Sequence, residues 1–259
     1  MDPSFIQLST QFKLRLEQAL EVSLQLFEVD GFIQISSLEL TTTILLYPNN
    51  KPIRSQTSET CIHIDEDLLT TKFELIVKRI VSRTKNNKSI FARKTVVARI
   101  DKKTSLQFLV EHHLQGALPG KYRYGLFEKG ELVAVAIFSG GRRMMDKEDD
   151  YRSFELIRFC NKAGFNVIGG LSKLIKAFCK DFSPGDIMTF TDRDWSQHSS
   201  LEKIGFVVKE VTAPINFWVA DTKRHVYRNK EELNALIKQY PHGLPKENMG
   251  SIKMILYLK

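Results

Sequence analysis

Apolar residues in the first part of the chain recur at helical spacing. Phe12, Leu16, Ala19, Leu20, Leu24 and Phe27 are mostly three or four apart, which predicts a helix over 10–28. Asp30-Gly31 is a turn signal that stops it. Phe32 to Tyr47 is rich in Ile, Leu and Thr and predicts one or two strands. Pro48-Asn49-Asn50-Lys51-Pro52 turns the chain, a polar loop runs to Thr60, and Ile62-His63-Ile64 predicts a short strand. Phe73, Ile76, Val77, Ile80 and Val81 then return to helix spacing, with Lys72, Lys78, Arg79 and Arg83 between them. After a polar connection at 85–88, Thr95 to Ile100 alternates like a strand.

From Asp101 the pattern changes. Thr104 to His113 predicts a short helix with Leu106, Leu109 and Val110 on its apolar side. Tyr122 to Phe127 and Leu132 to Ser139 predict strands, and the charged turn Glu128-Lys129-Gly130-Glu131 makes them a hairpin. A charged loop over 140–150 leads to a strand over Ser153–Cys160, a helix over Leu171–Phe182 and a strand over Asp186–Thr191. A strand-helix-strand unit implies local parallel pairing. A short helix from Trp195 to Ile204, ending at Gly205, precedes closing strands at Phe206–Val211 and Ile252–Leu258.

Composition excludes several classes. With 259 residues, 42% hydrophobic and 26% charged, the chain is an ordinary globular one. No apolar run approaches the roughly 20 residues a bilayer-spanning helix needs, so no membrane role is expected. Met1 to Ser9 holds one acid and no base, unlike a secretory leader, so a cytoplasmic location is expected. Cys61, Cys160 and Cys179 form no CxxC pair, which signals neither a disulfide framework nor a zinc site. Charge is concentrated: Lys72 to Lys103 holds eleven Lys or Arg against two acids, which accounts for the whole excess of +8. This segment is either a solvated face or a phosphate-backbone contact, with Lys78, Arg79, Arg83, Lys85 and Lys88 on its exposed side.

Two stretches carry a family resemblance. In the first, Phe154 to Phe178, a strand leads through a loop to Ile168-Gly169-Gly170 and at once into a helix. In the second, Ser199-Ser200-Leu201-Glu202-Lys203-Ile204-Gly205-Phe206, a helix ends at a glycine suited to a left-handed cap and a strand begins. In this order they resemble the GNAT superfamily of N-acyltransferases. The resemblance implies a mixed central sheet flanked by helices, and acetyl-CoA or another acyl-CoA as cofactor. Its pyrophosphate would be cradled by Ile168, Gly169, Gly170, Ser172 and Lys173, because glycines and a helix start offer free N–H groups to an anion. Asn166 stands where the family's loop has Arg or Gln. The runs His113-Leu114-Gln115-Gly116, Tyr124-Gly125-Leu126, Leu156-Ile157-Arg158-Phe159-Cys160, Gly169-Gly170-Leu171-Ser172-Lys173-Leu174 and Thr191-Asp192-Arg193-Asp194-Trp195-Ser196 carry a narrower likeness, over roughly residues 61–219, to a GNAT-like domain of phage and mobile-element proteins that often follows a homing-type endonuclease domain. A more distant one is to Mom-type proteins that modify DNA bases. The nuclease carboxylate-and-lysine signature of such fusions is not found in the preceding segment. His63 with Asp65, Glu66 and Asp67 is read as helix N-terminal charge, and no metal is expected.

Acyl transfer to an amine needs a polarised carbonyl, a route for the amine proton and a donor to the leaving thiolate. The densest polar cluster is Asp192-Arg193-Asp194-Trp195-Ser196, which reads either as substrate machinery or as a capping turn. Asp192, Ser196, Tyr124 and His113 are the candidates for proton handling and thiolate donation. Arg158, Arg193, Asp194, Trp195 and Lys253 are the candidate substrate contacts. The expected architecture is a smaller α+β region over 1–100 followed by a GNAT-like α/β domain over 101–259. Three functions are open: an acyl-CoA-dependent N-acyltransferase acting on a nucleic-acid base, a non-catalytic nucleic-acid-binding module of that fold, or a transferase for a small amine or peptide.

Overall fold

The structure is a computed structural model and describes residues 1–52, 54, 61–84, 88–195 and 200–259. In chain order its elements are α1 (Pro3–Leu20), β1 (Gln25–Val29), β2 (Phe32–Ser36), β3 (Thr43–Tyr47), β4 (Cys61–Asp65), α2 (Glu66–Thr84), β5 (Lys88–Phe91), β6 (Val96–Arg99), α3 (Lys102–His112), β7 (Tyr122–Glu128), β8 (Glu131–Phe138), β9 (Arg142–Arg143), β10 (Arg152–Asn161), β11 (Phe165–Ile168), α4 (Gly170–Phe182), β12 (Asp186–Asp192), β13 (Val207–Val211), β14 (Asn216–Ala220), β15 (Lys223–Tyr227), α5 (Lys230–Gln239), β16 (Leu244–Glu247) and β17 (Ser251–Tyr257). The fold is mixed α/β, with a central mixed sheet flanked by helices. The chain forms two compact units. The first is Met1–Val77 with Thr191–Ser199 and Val211–Ile252; the second is Lys78–Phe190 with Ser200–Glu210 and Lys253–Lys259. The first break therefore falls inside α2, against the boundary near residue 100 expected from the change of pattern.

In the first unit, α1 starts earlier and ends sooner than its apolar spacing predicts. Asp2 accepts a hydrogen bond from the Ser4 N–H and Pro3 fills the first turn, a strong start signal. Glu21 then turns left-handed (φ 59°), so Leu24 and Phe27 leave the helix and Phe27 lies in β1. Phe5, Phe12, Leu16 and Leu20 are the buried face of α1. The four-stranded sheet runs β1-β2-β3-β4, antiparallel until the parallel pair β3–β4, which aligns Tyr47 with Asp65. All five residues of β4 are buried. A second sheet, β15-β14-β16, with α5, fills 216–247, a stretch for which the sequence suggested no element. β15 opens on three consecutive polar residues, Lys223-Arg224-His225, which hide its period.

The first unit has ionic rather than purely apolar interior contacts. Asp65, with a fully buried side chain, accepts from Arg54 and Arg224 and lies 3.4 Å from Lys246 Nζ. Arg224 also grips Asp67 through two bonds of 2.7 Å. Arg54 reaches Asp194 at 3.2 Å. Three carboxylates and three cations thus tie β4, β15, β16 and the turn after β12 together. Removing one partner from such a group strands the others without solvent, which costs about 3–5 kcal/mol. Asp65→Ala is therefore expected to lower unfolding free energy by about that amount in urea titration; a loss under about 1 kcal/mol, the range of a surface pair, would contradict the account.

In the second unit an eight-stranded sheet runs β13-β17-β12-β10-β8-β7-β6, with β9 pairing onto β10. The expected hairpin is present: Lys129 (φ 51°) and Gly130 (φ 83°) make a two-residue turn between β7 and β8. The expected strand-helix-strand unit is β10-α4-β12, and β10 and β12 pair in parallel. Phe178 of α4 stacks on Phe138 of β8, with ring centroids 4.0 Å apart. β5 and β11 form a separate parallel ribbon. The helix expected from Trp195 to Ile204 is, over its described residues, a turn of 3-10 helix at Glu202–Ile204, closed by Gly205 at φ 106° as its sequence signal required.

Candidate functional site

The site is built around an interruption in the second unit's sheet. β10 and β12 pair only at Ser153–Asp186, Phe154–Ile187 and Glu155–Met188, although β10 continues to Asn161 and β12 to Asp192. The start of the pair is pinned by the Asp186 carboxylate, which accepts from the Tyr151 hydroxyl at 2.7 Å and the Ser153 hydroxyl at 2.5 Å. At the fork the Thr189 hydroxyl donates to the Leu156 carbonyl at 2.8 Å, where a main-chain bond would have continued the ladder. The cause of the divergence lies on the other edge of β10. Its register against β8 shifts between Leu156 and Arg158, a bulge that bends the strand and increases its twist. The Arg158 guanidinium donates to the Ile157 carbonyl at 2.7 Å.

Beyond the fork Phe159 is half-buried and Phe190 is 43% exposed, unusual for residues of a central sheet, while Ile157 packs against the cluster of Phe108, Leu109, Val135, Ile137 and Cys160. The loop after α3 runs beside the same part of β10: the Cys160 thiol meets the His112 carbonyl at 3.2 Å, and Arg158 Nε the Gly116 carbonyl at 3.4 Å. A strand-helix-strand crossover places the helix start at the carboxyl ends of its strands, where ligands of open sheets collect. Here that start is Gly169, left-handed at φ 75°, followed by Gly170. A side chain at Gly170 would press on Val167 and Leu126, at 3.0 and 3.2 Å. Gly169 has no side-chain cap. The first N–H groups of a helix have no partner within it, and among the described residues no acceptor faces those of Gly170, Leu171 and Ser172. A ready anion site results.

The structure redistributes the residues singled out in the sequence. Lys173 does not point at that site as expected. Its ammonium donates to the Ala92 carbonyl at 2.8 Å and to the Thr95 carbonyl, clamping the 3-10 turn Ala92–Lys94 onto α4. Tyr124 lies under the far end of α4, donating to Asp181 at 2.6 Å. Asp181 is eleven residues beyond Gly170, roughly 16 Å along the helix. Burial and that acceptor push the phenol up to about 12, so it stays protonated near neutrality with its proton committed to Asp181. The Nδ1 of His113 accepts from the Gln115 N–H at 3.1 Å, within the turn that ends α3. Lys253 pairs with Glu210 at 3.1 Å. Of the basic segment, Lys78, Arg83 and Lys88 are exposed and Arg79 is half-buried; Lys85 lies outside the described residues, as does Ser196.

Asp192, Arg193, Asp194 and Trp195 fold with the first unit. Asp192 accepts from the Asp194 N–H at 2.9 Å, and Arg193 donates to the Met249 carbonyl at 2.7 Å. Asp194 takes the Met249 N–H at 3.1 Å, and its carbonyl takes the His63 N–H at 2.9 Å. Buried and ion-paired, Asp194 serves the ionic interior rather than a substrate. The signal that could have shown this is Arg54, 140 residues away, and no local pattern carries it.

No protein-family model matches the chain, and no curated protein matches it. Solved structures do. An IAA acetyltransferase from Bacillus cereus is similar at 15% identity and a TM-score of 0.35, covering 63% of this chain and 99% of that one. A GNAT family acetyltransferase from Elizabethkingia anophelis with acetyl-CoA bound is similar at 13% identity and 0.33, covering 64% and 99%. A histone acetyltransferase HPA2 and related acetyltransferase from Corynebacterium glutamicum gives 12% and 0.38, covering 64% and 98%. Likenesses at these TM-scores carry no weight in assigning a reaction or its residues.

The ionic interior makes a pH prediction. Burial, reinforced by Arg54, pushes His63 down to about 4, and burial pushes Asp194 up to about 6. Between pH 6.5 and about 4 the unfolded chain binds a proton on His63 that the folded chain refuses, so stability falls as pH falls. Between about pH 6 and 3.8 the folded chain binds a proton on Asp194 that the unfolded chain does not, so stability rises as pH falls. The two oppose over the same window. Asp65 differs: burial raises its pKa, but Arg54, Arg224 and Lys246 outweigh it and hold the carboxyl well below its usual range. Its contribution is lost only below about pH 4. The urea midpoint is expected to stay nearly level from pH 6 to 4 and to drop below that. In Asp194→Asn it should decline across pH 6 to 4, and identical profiles for the two proteins would refute this balance.

Proposed function

We propose that the second unit is an acyl-coenzyme-A-dependent N-acyltransferase of the GNAT type. The observation that carries this reading is the fork between β10 and β12, two strands joined through a helix with a bare start. An acyl-coenzyme A has the matching parts: a narrow arm with two amides, an anionic pyrophosphate and a thioester. The arm lies along β10 past its last pair with β12, adding to the sheet as an extra strand does. The pyrophosphate takes the N–H groups of Gly170, Leu171 and Ser172, with the positive end of the α4 dipole. The thioester then sits at the fork, held in line for an incoming amine. As the new C–N bond forms, the C–S bond breaks; the thiolate leaves and the amine's proton is lost to solvent or to a base.

Ser172→Glu tests the phosphate end. An acid in the first turn favours the helix, so the fold is retained, while its charge opposes the pyrophosphate. Calorimetry is expected to show coenzyme A binding to wild type and at least about a tenfold weaker affinity in the variant, about 1.4 kcal/mol, with no fall in melting temperature. Equal affinity in both proteins, or none in either, would overturn the coenzyme reading.

For the acceptor we favour a nucleic-acid base, because Lys78, Arg83 and Lys88 all reach solvent in the basic segment. Fluorescence anisotropy against salt is expected to give a slope of about −0.9 in log affinity per phosphate contact on duplex DNA. Changing Lys78, Arg83 and Lys88 to Gln should flatten that slope and weaken all sequences alike. Absence of binding at low salt would leave a small amine or peptide as the acceptor; binding without coenzyme affinity would leave a non-catalytic nucleic-acid module.

A further inference from the structure

A cavity of about 140 Å³ lies in the first unit, against the sheet formed by β14, β15 and β16. One wall is apolar: Val219 of β14 and Leu244 of β16, which stand opposite each other in the strand pair. Asp67, near the start of α2, and Asn49, in the turn after β3, make another. Asp67 is buried, and Arg224 bonds to both of its oxygens. The Asn49 N–H donates to Glu66 at 2.7 Å, which fixes the turn. Among the described residues no donor reaches the buried Asn49 Oδ1, and a buried acceptor left so is costly. At the mouth, Asp221 Oδ1 lies 2.9 Å from His242 Nε2. Asp221 and Thr222, both left-handed (φ 50° and 62°), make the two-residue turn from β14 to β15. A β-branched residue is strained in that conformation, so the turn is held by what surrounds it.

Among the described residues the lining offers acceptors on an apolar wall: two carboxylates, an amide oxygen in need of a donor, and no Lys or Arg. The ionic interior behind it is balanced, since Arg54, Arg224 and Lys246 match Asp65, Asp67 and Asp194. Asp221 and the neighbouring Glu66 therefore leave the cavity with surplus negative charge. No three acids, histidines or cysteines among the described residues converge as a metal ion requires, and a bare ion would leave Val219 and Leu244 unused. A cavity of roughly 150 Å³ holds a six-carbon ring, which sets the size of the occupant. We infer that this cavity binds a small organic ammonium ion, its charged head among Asn49, Asp67 and Asp221 and its hydrocarbon body on Val219 and Leu244. The inference is independent of the acyltransferase reading, which concerns the second unit.

The test compares cyclopentylammonium with its neutral isostere cyclopentanol, by calorimetry near neutral pH and by following the His242 ring signals in NMR. Wild type is expected to bind the amine at least about tenfold more tightly than the alcohol, because hydrogen bonds to ionised groups are the stronger ones. The His242 signals should move as the amine is added. In Asp221→Asn the amine should weaken about fivefold, the upper range of an exposed charge pair, with the alcohol unchanged. That side chain is 69% exposed, and Asn accepts the left-handed turn, so the variant folds. Leu244→Trp, which fills the cavity, should exclude both ligands. Equal affinity for amine and alcohol would reduce the cavity to an apolar hollow and overturn the inference, as would no binding to wild type. Amine affinity unchanged in Asp221→Asn, or His242 signals that do not move, would put the amine elsewhere and overturn it as well.

Discussion

The fork in the second unit depends on how β10 is held at its two edges. At its start Asp186, buried and accepting two hydroxyls, forces β10 and β12 together. Three residues later the bulge against β8 bends β10 away. Neither device alone would give an opening. Without the pin the two strands would have no common origin; without the bulge the ladder would close over the gap. Thr189 seals the vertex by giving its hydroxyl to a carbonyl that has lost its main-chain partner, and Arg158 does the same for the carbonyl displaced by the bulge. A sheet interior is an expensive place to leave polar groups unpaired, so side chains satisfy the vertex itself.

The first unit solves a different problem. Its β4 ends in a carboxylate with no access to water, and three cations from distant parts of the chain converge on it. Charges sequestered in this way contribute little net stability, but they tolerate few alternative arrangements. This explains why the polar turn Asp192–Trp195 is so dense. Its acids and arginine hold the chain against Met249, Gly250 and β4, and the expectation of substrate machinery there gives way to one of architecture.

Much of the fold was legible because local chemistry and period agree. The hairpin at Lys129-Gly130, the cap at Gly205, and the β10-α4-β12 unit each carry turn residues or spacing that admit one reading. The helix start at Gly169-Gly170 was legible for the same reason. What was not legible depends on partners far away in sequence. Lys173 looks like a phosphate ligand until Ala92, 81 residues earlier, is seen to occupy it. Tyr124 looks available until Asp181, 57 residues later, accepts its hydrogen bond. The bulge has no signature in Leu156-Ile157-Arg158-Phe159, since apolar residues surround a single charge there whether the strand is regular or not. The ribbon strands have four residues each, too few for a period to declare itself.

Hydrogen exchange with and without acetyl-coenzyme A tests the central claim most directly. The account predicts slower exchange at the amides of Ile157 to Asn161, past the fork, and of Gly170 to Ser172, at the start of α4. The amides of β4 and β14 in the first unit should be unchanged. Protection absent from both the β10 edge and the α4 start, or confined to the first unit, would contradict it.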